Sequence, residues 1–421
     1  RMSKASLLPK AKQIHRNISK WGWSIETDED REKAIERKFG RVKWLLKTTG
    51  FYTEDFDNFG LASKIFFVLR EVVVVGMCGY SAINILILLI LDDVYDEKSL
   101  QEFLMCNWAW QSLFSIIFLI YWQHRGYIKQ LFETVHWPTT SRKHTSTRRV
   151  INLAFLFHLL FTVFLFCLIL VHLALWFTNK LIDVRIDIER VNIFGHPMIS
   201  FLCACYFFYV YGVLLTFYII ISVVVHHELK KFNHELMNLG KDRTTNMENE
   251  ILKMYITHTK LINIVRSVDN FFEVYTFVLI GLNIPLSVFT LLNTFASTKS
   301  LLDFSVNIPA VVFCFIELAG LTLVPAKLHA EILKVEGLIY GNPRVWYPYN
   351  ENVYLIASTF VSHIQQRNLG ISLWGFALLT KPTILTTLSL TITFLTFSLQ
   401  VKFNRDAIAA ARILSNTTIT L

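Results

Sequence analysis

Long unbroken apolar runs set the pattern of this chain. They lie near residues 69–91, 104–122, 150–177, 198–225, 271–296, 304–326 and 382–402. A helix that crosses a bilayer needs about 20 mostly apolar residues. Each run therefore predicts one membrane-spanning helix, and the fold class is an all-α membrane protein with seven transmembrane helices. The third and fourth runs are long enough to tilt or to project from the bilayer. Between the runs, apolar residues recur at spacings of three and four. Ile251, Met254, Tyr255, His258, Leu261, Ile262 and Val265 share one face of a helix that runs straight into the fifth span. Ahead of it, Thr245-x-x-Glu248 reads as a capping box. Residues 327–340 continue the sixth helix, Gly341-Asn342-Pro343 breaks it, and 351–367 carries Val353, Ile356, Phe360, Val361 and Ile364 on a second apolar face. Two apolar faces outside the bilayer need partners, which predicts a packed helical layer below the membrane.

Charge gives the direction. Thirteen Lys and Arg residues fall in 1–50, and the segments 123–149 and 226–270 are also basic. Residues 92–103 are acidic, with Asp92, Asp93, Asp96, Glu97 and Glu102 against one Lys. Basic loops stay in the cytoplasm, so the N-terminus is expected inside and the C-terminus outside. The divisions follow: a cytoplasmic N-terminal region 1–68, spans one to four in 69–225, a cytoplasmic helical loop 226–270, and spans five and six in 271–326. A cytoplasmic anchor region 327–381, span seven in 382–403 and an extracellular tail 404–421 complete the chain.

Composition removes other classes. Hydrophobic residues make up 53% and charged residues 17%, with a mean hydropathy of +0.43. Soluble chains carry about a quarter charged residues, so a disordered chain and an ordinary soluble enzyme are excluded. The net charge of +9 is topology signal rather than a nucleic-acid footprint. The six cysteines lie in or at the edge of apolar runs and read as packing residues. His226, His227 and His234 lack the paired spacing of a metal site. No catalytic constellation is visible, so no enzyme, metal or cofactor is expected. The first long apolar run starts near residue 65, too late for a cleavable leader.

The seventh run is unusually polar. Thr386, Ser389, Thr393, Thr396 and Gln400 repeat at 3-4-3-4 and form one stripe along the helix. Several copies of such a helix around an axis would line a water-filled pore, with Gln400 near the outer mouth. A second, weaker stripe is Thr387-Thr391-Ser398. It is the packing face, or the two roles are reversed; hydroxyls also serve close helix packing.

The same run carries a family resemblance. Thr393-Phe394, five further residues and Gln400-Val401 resemble the last-span signature of the insect gustatory and odorant receptor superfamily, Thr-Tyr, five apolar residues, then Gln-Phe. Phe394 stands for Tyr and Val401 for Phe. Gly375-Phe376 and the run 370–400 are similar as well, and the resemblance covers roughly 35–402. It implies a stimulus-gated, rather non-selective cation channel in the plasma membrane. It implies a homotetramer, or assembly with related receptors, with the last helix lining the pore. Thr393 and Phe394 would then support the pore helix, Gln400 would sit at the gate, and Val401 would supply the constriction.

The resemblance also implies a ligand pocket within the helical bundle, open to the outer side. Asn107, Trp108, Trp110 and Gln111 on the second span, His172 and Trp176 on the third, Tyr206 and Tyr209 on the fourth, and Asn283 and Asn293 on the fifth lie in outer halves. Aromatics and amides together suit a small polar-aromatic stimulus. Glu317 inside the sixth span must face protein or water and find a partner. The expected partners are a small-molecule stimulus, permeant cations and the lipid bilayer. Two alternatives are a light-sensing member of the family and a seven-helix receptor that signals through a partner protein.

Overall fold

The computed structural model describes residues 28–54, 56, 59–91, 97–135, 197–240, 246–297, 301–365 and 369–419, with 149, 151–156, 158–160, 162–163, 166–167 and 170. The helices are α1 (Asp28–Thr48), α2 (Leu61–Leu91), α3 (Glu97–His124), α4 (Tyr127–Val135), α5 (Pro197–Met237), α6 (Met247–Ser297), α7 (Leu301–Tyr340), α8 (Pro343–Trp346), α9 (Glu351–Ile364) and α10 (Lys381–Ile419). One antiparallel hairpin, β1 (Ser372–Leu373) with β2 (Ala377–Leu378), pairs Ser372 with Leu378 and Leu373 with Ala377. Among the described residues, Phe103–His124, Phe201–Met237, Met247–Thr294, Ala310–Tyr340 and Lys381–Val401 are long and apolar enough to cross a bilayer. The first apolar run lies on α2, and the third falls partly outside the described residues, where 151–156 and 158–160 are helical. The chain is a multi-pass membrane protein.

The longest helices overrun any bilayer. α6 has 51 residues, about 75 Å at 1.5 Å per residue, against about 30 Å of hydrocarbon. α5 and α7 have 41 and 40. Their polar ends form a base with α8 and α9. There Ile251, His258, Leu261, Ile262 and Val265 of α6 are buried, and so are Val353, Ala357, Phe360, Val361 and Ile364 of α9. Side-chain amides fasten the base where the chain turns. Asn233 donates to the backbone oxygen and carboxylate of Glu331 at 2.8 and 2.9 Å, and Asn342 donates to Leu239 O at 3.1 Å. Asn342 and Asn350 cap α8 and α9, as the Gly341-Asn342-Pro343 break predicts. At the start of α6, Asn246 accepts from Glu248 N at 3.0 Å; Thr245 of the expected capping box lies outside the described residues.

Two parts go beyond the sequence expectation. The last helix does not stop near 402: α10 continues to Ile419. Its extension holds Ala407, Ala409, Ala410 and Ala411 and no Gly or Pro between 403 and 419, so nothing in it terminates a helix. Residues 28–54 are part of the bundle. Ile35, Phe39, Val42, Leu45 and Leu46 sink one face of α1 into the core against α4 and α5. Lys38 pairs with Glu228 at 3.7 Å. After α1 the chain turns at Gly50 (φ +79°), whose carbonyl accepts from Arg70, and Gln123 donates to Thr53 O at 2.7 Å.

His258 is fully buried in the base, and neither ring nitrogen has a hydrogen-bond partner. It faces Phe232 of α5 and Phe360 and His363 of α9, at ring separations of 5.6, 5.0 and 6.0 Å. Burial, and then His363, push its pKa down to about 3; burial and Arg266 also lower His363. The unfolded chain takes up a proton near pH 6.5 that the folded chain refuses until near pH 3. Stability therefore falls as pH drops below about 6.5, by about 1.4 kcal/mol per pH unit. The melting temperature of purified protein should fall between pH 7 and pH 5, and His258→Leu should remove that part of the slope without loss at pH 7.5. An unchanged slope in the variant would assign it to another group.

Candidate functional site

α10 is the least covered of the five long apolar helices. Only 11% of its membrane-length window is buried, against 44% to 72% for the other four. The buried face holds Thr387 and Thr391 and meets α6 and α7. Leu395 and Leu399 pack on Val288 and Leu292 of α6. Thr386, Ser389, Thr393, Thr396 and Gln400 are all exposed. At about 100° per residue, this stripe lies roughly 180° from the Thr387-Thr391-Ser398 line. The stronger stripe thus points directly away from its own chain, and the weaker one is the packing face. Exposed Leu385, Leu388 and Ile392 flank the stripe on one side, and Leu390, Phe394 and Phe397 on the other. Val401 is half-buried and turned about 100° from Gln400, so Phe394 and Val401 stand off the polar line.

The hydroxyls have a fixed orientation. Thr386, Thr393 and Thr396 donate to the carbonyls of Pro382, Ser389 and Ile392, at 3.1, 2.9 and 2.9 Å. Thr387 and Thr391 do the same on the buried face. Each proton is committed to the helix's own backbone, and the oxygen lone pairs remain for whatever faces them. Below, α10 hangs on the hairpin. Asp269 of α6 accepts from Ser372 N and Oγ at 2.6 and 3.0 Å, and Trp374 N donates to Glu273 O at 3.3 Å. Trp374 (φ 48°) and Gly375 (φ 70°) make the tight turn. Gly375 allows that backbone without strain.

A second polar group is closed inside the bundle. Glu317 of α7 is fully buried, and its Oε1 accepts from Gln111 Nε2 of α3 at 3.1 Å. Tyr211 of α5 and Asn283 of α6 lie beside the carboxyl, short of good hydrogen-bond geometry. Asn283 Oδ1 instead accepts from Ser287 at 3.1 Å. Tyr275 and Ser115 adjoin this group. One turn along the helices, Trp108, Phe208 and Phe313 form an aromatic layer, with Phe208 5.6 Å from Trp108 and 5.3 Å from Phe313.

Of the expected pocket residues, the structure brings Gln111 and Asn283 together beside the buried charge Glu317, with Trp108 above them. Asn107 is spent on Phe103 O at 3.3 Å. Trp110 faces Phe114, and Asn293 is buried on α6. Tyr206 and Tyr209 are elsewhere: Tyr206 donates to Thr49 O at 2.7 Å, and Tyr209 lies 2.6 Å from the Thr48 hydroxyl. They tie the N-terminal segment to α5. His172 and Trp176 lie outside the described residues.

No protein-family model matches the chain, and no characterised protein matches it by sequence. Its architecture does match. The olfactory receptor OR5 of the insect Machilis hrabei, solved in complex with eugenol, superposes with a TM-score of 0.64 at 12% identity, covering 87% of this chain and 98% of that receptor. A second structure of the same receptor gives a TM-score of 0.59 with the same coverage and identity. The chain has the fold of an insect olfactory receptor.

Within that receptor fold, sequence reasoning missed Tyr211, Tyr275, Ser115 and Thr276. A signal for the interior was present. Thr276, Asn283, Ser287, Thr290 and Thr294 recur at 7-4-3-4 along the fifth span, and all are buried. The two faces of α10 should respond differently to bulk. Thr391→Leu forces extra volume against α6 and should cost on the order of 1–3 kcal/mol, while Ser389→Leu should leave the melting temperature in detergent unchanged. Equal losses in both would mean that the faces are misassigned.

Proposed function

We propose that the protein is a chemosensory receptor of gustatory type that works as a stimulus-gated, non-selective cation channel. Four copies surround an axis, and the α10 helices line the pore. The observation that carries this reading is the uncovered stripe of Thr386, Ser389, Thr393, Thr396 and Gln400, pointing away from its own chain between two apolar flanks. In hydrocarbon such a stripe would leave its oxygens without partners. Around an axis it meets water, and the flanks pack against neighbouring copies. Because the threonine protons are held by the backbone, the lining offers oxygen lone pairs, which suits cations. The receptor-like fold and the Thr393–Gln400 spacing support the family assignment, and the gustatory type rests on that spacing. Seven spans, with the N-terminus in the cytoplasm, agree with the basic loops.

The stimulus acts within the bundle. Trp108, Phe208 and Phe313 give it aromatic walls, and the closed cluster of Gln111, Asn283 and Glu317 lies one turn below. α6 and the hairpin connect that level to α10. Eugenol, bound by the Machilis receptor, is a reasonable first compound for current recordings.

Single-particle images of detergent-purified protein should show a fourfold particle with α10 on the axis. Cysteines at Ser389, Thr393 and Gln400 should then react with a charged thiol reagent and change cation flux in liposomes, while Thr391→Cys should not. A monomer or twofold dimer without an axial pore would sink the channel reading and favour a receptor that signals through a partner.

A further inference from the structure

We infer that the cluster around Glu317 is a binding site for a monovalent metal cation of sodium size. Glu317 Oε2 is buried and has no hydrogen-bond partner among the described residues, and no basic side chain there pairs with the carboxyl. Gln111 Oε1, the hydroxyls of Tyr211 and Tyr275, and Ser115 Oγ are likewise buried and unpartnered. These atoms come from α3, α5, α6 and α7, and they adjoin one another: Tyr211 lies beside Glu317, and Tyr275 beside Tyr211 and Ser115. Folded interiors rarely leave so many polar atoms without partners in one place. The donors facing the carboxyl, from Tyr211 and Asn283, stand short of good hydrogen-bond geometry, and none of the described residues otherwise completes the free oxygens.

The donor set says what it is. Every free acceptor is oxygen, the ligand type of hard cations. The nearby sulfur of Cys314 is already in contact with the Thr290 hydroxyl at 3.6 Å. One carboxylate balances one positive charge. A divalent ion would leave net charge buried in a low-dielectric interior. Gln111 and Glu317 have no exposed surface, so a bare ion suits the closed cluster better than an organic ammonium group. The ion would join four helices one turn from the aromatic layer and hold them in one arrangement. This inference stands apart from the channel reading, since it concerns binding and not conduction.

The test is thermal melting of purified protein while sodium chloride replaces N-methyl-D-glucamine chloride at constant ionic strength. An ion that binds only the folded state raises the melting temperature saturably. The expected result is a saturable rise of several degrees in the wild type and none in Glu317→Gln. Tyr211→Phe keeps the packing and removes one oxygen, so its half-saturation should move to higher sodium by roughly tenfold. It also covers the case in which Glu317→Gln does not fold. A flat wild-type series would overturn the site, and so would a sodium response left intact by Tyr211→Phe or Glu317→Gln. No current is recorded, so failure here leaves the channel proposal standing, and the reverse also holds.

Discussion

Hydrocarbon offers no hydrogen bonds, and the structure depends on that constraint. Backbone groups answer it by forming unbroken helices, and side-chain hydroxyls answer it by donating four residues back. Thr290 and Thr294 on α6 do so at 2.7 and 2.8 Å, and the threonines of α10 do the same. This settles the donor and leaves lone pairs. On α6 the hydroxyls turn into the bundle, where other polar groups share the interior. On α10 the larger set turns out, where none of the described residues covers it. One rule gives a closed polar cluster in one place and an open polar face in another.

The same rule explains what was legible in the sequence. Apolar runs announce helices because few other structures tolerate 20 apolar residues, and the 3–4 spacing of 251–265 and 353–364 announces the buried faces of the base. The polar stripe of span seven stood out because it interrupts an apolar run. The interior cluster showed only in Gln111, Asn283 and Glu317; Tyr211 and Tyr275 did not stand out, because tyrosine is apolar and polar at once and hydropathy gives it no direction. Tyr206 and Tyr211 sit five residues apart on α5, about 140° around the helix. One meets Thr49 of the N-terminal segment and the other meets Glu317. Only the packing of neighbouring helices separates them. The N-terminal segment was hidden for a related reason. Its basic residues mark the cytoplasmic side, while the apolar face of α1, only five side chains wide, is what draws it into the bundle.

The helices differ in what they share. α6 alone reaches every feature described: His258 in the base, Asp269 and Glu273 on the hairpin, Asn283 in the buried cluster, and Val288 and Leu292 against α10. It also contains Pro285, two residues from Asn283. A proline inside a helix removes one backbone donor and presses on the preceding turn, which makes it the natural place for a bend. α10 is fastened to α6 on both sides of that point. Below it the hairpin binds Asp269 and Glu273, and above it Leu395 and Leu399 rest on Val288 and Leu292. A bend of α6 at Pro285 would change the tilt of α10 relative to its own base. The polar stripe faces away from the chain that positions it, so a tilt of α10 moves the stripe without unpacking any buried side chain on that face.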